Sequence, residues 1–201
     1  MNKIGKIQVY TGSGKGKTTS AMGLAFRALG YNKKILIVQF LKGDSSGELK
    51  TCELFKDNIT ILRNYNSSKI VMEGNKTNED YMLSQLLWHQ LIGSSFDYDL
   101  IILDEVLPCL CLGLVNQKQL FDFITNKPKE IELVLTGRIW DEQIYDKIKD
   151  VSDLMSDVRC VKHYFDKSCP SCKRKFEFRS NYCPNCGGVL ETTPSREGIE
   201  W

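Results

Sequence analysis

Six short runs rich in Ile, Val and Leu recur along the chain, at Lys6 to Thr11, Ile35 to Phe40, Ile59 to Leu62, Leu100 to Leu103, Ile131 to Thr136 and Val158 to Tyr164. Runs this rich in branched apolar residues read as buried strands. Longer segments with helical features lie between them: Lys17 to Leu29, Glu79 to Ile92 behind a cap at Thr77 or Asn78, and Asp141 to Lys149. Strand and helix in alternation predict an α/β domain, a mostly parallel sheet with crossover helices on both faces.

The pattern breaks after Phe165. Residues 166–193 hold four cysteines and few aliphatic side chains, so they read as a separate small module, and 1–165 as the main domain. The final stretch, 194–201, ends in Ile199 and Trp201, an apolar pair expected to return to the main domain. No internal repeat, low-complexity tract or heptad run is visible.

Length and charge narrow the class. A chain of 201 residues fits one α/β domain with a small appendage. With 27 basic and 25 acidic residues the net charge is +2, too small a field to attract nucleic acid or an anionic membrane, so an anion must be bound by a local site. The opening residues MNKIGKIQVY carry no signal core, and no apolar run approaches the roughly 18 residues of a spanning helix, so a cytoplasmic protein is expected. Of the eight cysteines, four fall in two Cys-x-x-Cys pairs; Cys52, Cys109, Cys111 and Cys160 read as small buried hydrophobes.

Candidate chemistry begins at Thr11-Gly12-Ser13-Gly14-Lys15-Gly16-Lys17-Thr18-Thr19, which follows an apolar strand and opens a helix. This is the setting of a phosphate-binding P-loop, and it makes the predicted domain P-loop NTPase-like. Glycines let successive backbone N–H groups and the helix N-terminus point at phosphate oxygens, while Lys17 adds positive charge and Thr18 a metal-ligating hydroxyl. Asp99 to Glu105 is an apolar strand ending in two carboxylates, Asp104 and Glu105, one of which is expected to face Mg²⁺. Taken alone, the first segment could be a glycine-rich turn and the second a solvated strand end; together they predict a Mg·nucleotide site.

Cys169-Pro-Ser-Cys172 and Cys183-Pro-Asn-Cys186 are separated by ten residues, the spacing of a Cys₄ zinc ribbon. Four thiolates close the coordination sphere, so the zinc is expected to be structural; the alternative for such pairs is a redox dithiol. His89, in a helical segment, and His163, after a strand, read as ordinary polar side chains with no catalytic role.

These segments resemble the family of P-loop corrinoid adenosyltransferases over nearly the whole chain. The loop Thr11 to Thr19 is similar, including threonine where generic P-loops carry glycine, and so are Val38-Gln39-Phe40-Leu41-Lys42-Gly43, Leu103-Asp104-Glu105, Leu135-Thr136-Gly137-Arg138, the Asp153 to His163 stretch and the terminal Gly198-Ile199-Glu200-Trp201. The resemblance implies ATP phosphates on Gly12, Ser13, Gly14, Lys15, Gly16, Lys17, Thr18 and Thr19, with Arg138 meeting phosphate. It places Mg²⁺ near Thr18 and Glu105, catalytic roles on Lys17 and Glu105, and a reduced corrinoid over the adjoining face of the sheet. It also implies a bulky wall against the corrin's lower face at positions that fall here on Ile70 and Met72, neither aromatic, with Tyr65 as an alternative. The zinc ribbon, with Cys169, Cys172, Cys183 and Cys186 as ligands, departs from the family pattern. It reads as a staple for the C-terminal tail or as a docking surface for a reductase or corrinoid carrier.

The expected partners are ATP and a reduced corrinoid, with room for a flavoprotein reductase and a homodimer, and without a membrane or nucleic acid. Two rival readings stay open: a zinc-ribbon deoxynucleoside kinase, and an ATP-dependent binding module whose ribbon uses Lys173, Arg174, Lys175 and Arg179 to contact nucleic acid.

Overall fold

The computed structural model describes residues 4–43, 46–64, 71–94, 97–161, 167–176, 182–183 and 185–190. The chain divides into two compact units, Met1–Arg159 and Cys160–Trp201.

The first unit is a parallel sheet with helices on both faces. Its strands are β1 (Ile7–Thr11), β2 (Ile35–Gln39), β3 (Ile59–Arg63), β4 (Leu100–Asp104), β5 (Glu132–Thr136) and β6 (Leu154–Asp157). They lie in the order β3-β2-β4-β5-β1-β6, every neighbouring pair parallel. All five residues of β2 and all five of β4 are buried, which is why each reads as an apolar run up to its last residue, Gln39 or Asp104.

Side chains alternate across each strand, so two cores form. On one face Ile35, Ile37, Ile102 and Val134 meet Ala21, Met22 and Ala25 of α1 (Lys17–Leu29), with Cys52 of α2 (Gly47–Glu53) beside them. The alanines let α1 approach the sheet closely. On the other face Val9, Leu36, Val38, Ile101, Leu103, Leu133 and Leu135 are covered by four helices: α3 (Asn78–Gly93), α4 (Val106–Cys111), α5 (Gln117–Asn126) and α6 (Glu142–Val151).

Helix ends follow their caps. Thr77 and Asp80 form a reciprocal capping box on α3, so Thr77 is the cap, and the Asp141 carboxylate accepts from the Ile144 N–H at the start of α6. Helices α2, α4 and α5 lie outside the three segments expected to be helical. The six residues of α4, Val-Leu-Pro-Cys-Leu-Cys, show no polar face because the helix is buried nearly all round, so no amphipathic signal exists.

One expected strand is displaced. The run Val158 to Tyr164 was expected to pair in the sheet, but β6 is Leu154–Asp157 and Val158–Val161 form no strand; residues 162–164 lie outside the described part. Strand β6 is an edge strand paired only with β1, and Leu154 is half exposed, so it carries no apolar run. The sheet must end where β1 ends, and Val158 is used instead to bind the loop that follows: its N–H donates to Thr11 O at 2.8 Å and its carbonyl accepts from Gly14 N at 2.6 Å.

The second unit contains a two-stranded antiparallel pair, β7 (Lys167–Ser168) and β8 (Lys175–Phe176), and an antiparallel bridge between Tyr182 and Val189. Each frames one Cys-x-x-Cys turn. The proposed return of the tail, Ile199 and Trp201 included, lies outside the described residues.

Candidate functional site

The C-terminal ends of β1, β2, β4 and β5 converge, as the open edge of a parallel sheet provides. Strand β1 stops at Thr11, and Gly12 turns the chain with φ 101°. A Cβ there would collide with Asp157 Oδ1 and come within 2.6 Å of Val158 O, so conformation and space both require glycine. Gly16, also left-handed at φ 113°, starts α1 without a side-chain cap and with no acidic residue in the first turn. The leading N–H groups and the positive end of the helix dipole therefore remain available to an anion.

Two cations close over this loop. Lys17 Nζ donates to Gly14 O at 2.7 Å, and Arg138 Nη2, beyond the end of β5, donates to Ser13 O at 3.2 Å. Burial pulls the Lys17 ammonium below the usual lysine range; Arg138 and Lys42 add to this, against the opposing pull of Glu105 and Asp104.

Asp104, fully buried at the end of β4, is the hub. Its Oδ1 accepts from Thr18 Oγ1 at 2.9 Å and from Thr136 Oγ1 at 2.6 Å; its Oδ2 accepts from Gln39 Nε2 at 3.2 Å and from Lys42 Nζ at 2.6 Å. These four bonds use the full acceptor capacity of a carboxylate and come from four separate segments.

Glu105 follows in a left-handed backbone conformation, φ 59° and ψ 25°, with its N–H on Thr136 Oγ1 at 3.0 Å. Gly137, at φ 128°, leaves room for this arrangement. A Cβ there would strike the Pro108 ring and touch Glu105 Oε2 at 3.4 Å. Burial raises the Glu105 carboxyl above the usual range and the neighbouring Asp104 charge raises it further, while Lys42, Lys17 and Arg138 pull it back.

The structure thus brings Lys17, Thr18, Asp104, Glu105 and Arg138 to one neighbourhood. Of the two adjacent carboxylates, Asp104 is the one hydrogen-bonded to Thr18. Gln39, Lys42 and Thr136 also belong to the site but were given no role from the sequence. They sit in the Val-Gln-Phe-Leu-Lys-Gly and Leu-Thr-Gly-Arg segments, both at strand ends on this edge, and that position was the signal.

The oxygen donors suit a hard cation. A hydroxyl at Thr18, a carboxylate at Asp104 and a second carboxylate at Glu105 are the ligand types that Mg²⁺ takes beside a phosphate.

The cysteine cluster is separate. The sulfurs of Cys169, Cys172, Cys183 and Cys186 all lie within 4.8 Å of one another, with Cys169 to Cys186 at 3.5 Å and Cys172 to Cys183 at 3.6 Å. A tetrahedral zinc with about 2.3 Å bonds would set its sulfurs roughly 3.8 Å apart, so this constellation fits the ion, and all four thiols are free of disulfides. The backbone N–H of Cys172 points at Cys169 Sγ and is the main reason the Cys169 thiol falls to about 6, which favours the thiolate a metal needs.

Other sequence expectations resolve individually. His89 is exposed with its Nδ1 on Gln85 O. Trp88 is a core residue, packed edge-on against Phe123. Met72 is 56% exposed in a turn before α3, whereas Ile70, Tyr65, His163 and Arg179 lie outside the described residues. Cys52 and Cys109 are buried as expected, but Cys111 and Cys160 are only partly so. No helix among the described residues is long and apolar enough to cross a membrane.

Comparison with known proteins places this geometry in a family. A family model described as ATP:corrinoid adenosyltransferase BtuR/CobO/CobP matches residues 3–177. The corrinoid adenosyltransferase of Escherichia coli K12 is 29% identical over 167 residues, covering 81% of this chain and 80% of that protein. The corrinoid adenosyltransferase CobA of Salmonella typhimurium is 29% identical over 165 residues, with the same coverage of 81% and 80%. An uncharacterized protein of Nostoc, all2391, is 30% identical over 170 residues, 79% of this chain but only 44% of its own length. The family match includes the first cysteine pair and stops short of the second.

Proposed function

The chain belongs to the ATP:corrinoid adenosyltransferase family, and from that premise we propose that it moves the 5′-deoxyadenosyl group of ATP onto Co(I) of a reduced corrinoid. Cobalt supplies the electron pair, a Co–C bond forms at C5′, the C5′–O bond breaks, and triphosphate leaves with the electrons.

The observation that carries this reading is the convergence of Lys17, Arg138 and the open N-terminus of α1 on one loop, beside the Thr18–Asp104 pair, in a chain of this family. A loop with these donors grips a leaving triphosphate as well as it grips a transferred phosphoryl group. Lys17 and Arg138 stabilise charge that grows as C5′–O breaks, and the glycine-built loop holds the nucleotide so that C5′ stays in line with cobalt. Mg²⁺, held by Thr18 with Asp104 or Glu105, would supply further charge neutralisation on the phosphates. The nucleophile is already reduced metal, so no side chain has to remove a proton.

For the second unit we propose a structural zinc held by Cys169, Cys172, Cys183 and Cys186 within a ribbon spanning 166–193. Eight free cysteines support a reducing, cytoplasmic setting. Incubating the protein with Mg·ATP and a chemically reduced corrinoid is expected to yield inorganic triphosphate and a light-sensitive Co–C product. Formation of ADP and phosphate in place of triphosphate would show chemistry at the γ-phosphate and overturn the proposal.

A further inference from the structure

Lys42 has no role in the reading above, yet it makes the ion pair with Asp104 and also donates to Thr18 Oγ1 at 2.9 Å. Its placement is built. Leu41, beyond the end of β2, takes a left-handed conformation at φ 54°, uncommon for a leucine, and so redirects the chain. Arg63 Nη2 from the end of β3 then anchors the backbone by donating to Lys42 O at 3.2 Å and Gly43 O at 2.9 Å. The main chain is tied down, while the side chain is 29% exposed, against 0% for the Asp104 carboxylate it meets.

The partners of Asp104 divide by charge. Thr18, Thr136 and Gln39 offer neutral donors; Lys42 brings the positive charge in direct contact. A fully buried carboxylate is costly without a counter-charge, so Lys42 cannot leave unless another cation replaces it. The two oxygens it contacts, Asp104 Oδ2 and Thr18 Oγ1, are also the oxygens a divalent ion would use. An ammonium and a metal ion cannot share them.

We propose that Lys42 is the resident counter-cation of the Thr18–Asp104 pair, and that a divalent ion gains this pair only when a triphosphate draws the Lys42 ammonium away. This inference rests on the reading of the site as one for Mg·nucleotide and adds the device that couples the two ligands. A divalent ion arriving alone must expel Lys42 into a region already holding Lys17 and Arg138. Phosphate oxygens give the displaced ammonium a place to go, so metal and nucleotide favour each other reciprocally.

The test uses the full chain without nucleotide or corrinoid. Mn²⁺ titration followed by electron paramagnetic resonance is expected to show weak binding to the wild type. Lys42→Met is expected to bind at least about tenfold more tightly, within the roughly 5–150-fold of common coupling effects. Adding Thr18→Val to that variant should remove the gain, which locates the ion at the pair. Mg²⁺ should raise the melting temperature of Lys42→Met and leave that of the wild type unchanged. If Lys42→Met does not fold, Lys42→Gln, which keeps a neutral donor to Asp104, serves the same titration. Mn²⁺ affinities within twofold of each other in wild type and variant would overturn the role of Lys42. Because neither substrate is present, that result stands apart from a failure of the wild type to form triphosphate, which would overturn the functional reading instead.

Discussion

The loop site and the cysteine cluster solve the same problem, holding charged groups close together, by opposite means. At the loop, Thr18, Gln39, Lys42 and Thr136 reach Asp104 across sequence separations from 32 to 86 residues, and only the sheet brings them together. In the cluster, two local turns do the work, and they are the same turn twice. Cys169 N donates to Arg174 O and Lys173 N to Cys169 O, while Cys183 N donates to Gly188 O and Gly187 N to Cys183 O. The fifth position of each turn is left-handed, Lys173 at φ 57° and Gly187 at φ 68°. A site built by topology fails when one distant partner is lost but leaves the fold standing. One built from local turns depends on what binds it together.

The largest effect expected from breaking this contrast is in the cysteine unit. Structural zinc contributes about 10–16 kcal/mol of apparent binding free energy in small domains, so Cys169→Ser or Cys183→Ser should lose the metal and expose the C-terminal unit to protease. Digestion is expected to stop near Arg159. Metal analysis finding no zinc in the wild type, or a disulfide in its place, would remove this half of the comparison.

Next in size is Lys17→Ala, expected to lower turnover by about 10²–10³-fold, roughly 3–4 kcal/mol, with an unchanged melting curve. Near-normal triphosphate release would dissolve the P-loop assignment. A smaller effect is expected at Thr136→Val, which removes one of two hydroxyl donors to Asp104 Oδ1 and the acceptor of the Glu105 N–H. Hydrogen bonds to charged groups are worth about 1.5–3 kcal/mol, to be read from urea denaturation. A cost near zero would mean that neither Asp104 nor the Glu105 N–H depends on this hydroxyl. The smallest effect, and the one that sharpens the likeness of the two turns, is Lys173→Gly. The left-handed conformation costs a residue with a Cβ about 1–2 kcal/mol, so glycine there should make the first turn more stable to heat, while Gly187→Ala should destabilise the second.

Legibility differs in the same way. Strands β2, β4 and β5 and helix α1 are visible in the chain because each is covered on both faces or opens with a motif whose geometry is strict. Edge strand β6 and buried helix α4 are not visible, the first because exposed Leu154 and Asp157 break the apolar run, the second because it has no polar face. Glu105 illustrates the limit at the site. Two adjacent carboxylates at a strand end say that one faces the loop; which one depends on the left-handed turn at Glu105 and the space left by Gly137.

What depends on neighbours in the chain is legible without the fold: the α/β class, from apolar runs; the glycine-rich strand-to-helix loop, from glycines and a lysine at fixed offsets; the cysteine quartet, from its spacing. Tertiary structure alone decided which distant groups meet. That Lys42 pairs with Asp104, that Gln39 and Thr136 complete its bonding, and that Val158 braces the loop all follow from the strand order β3-β2-β4-β5-β1-β6. Hydrophobic patterning makes each strand but is nearly blind to which strand lies beside which, and a buried carboxylate takes its partners from whichever strand ends the sheet sets around it.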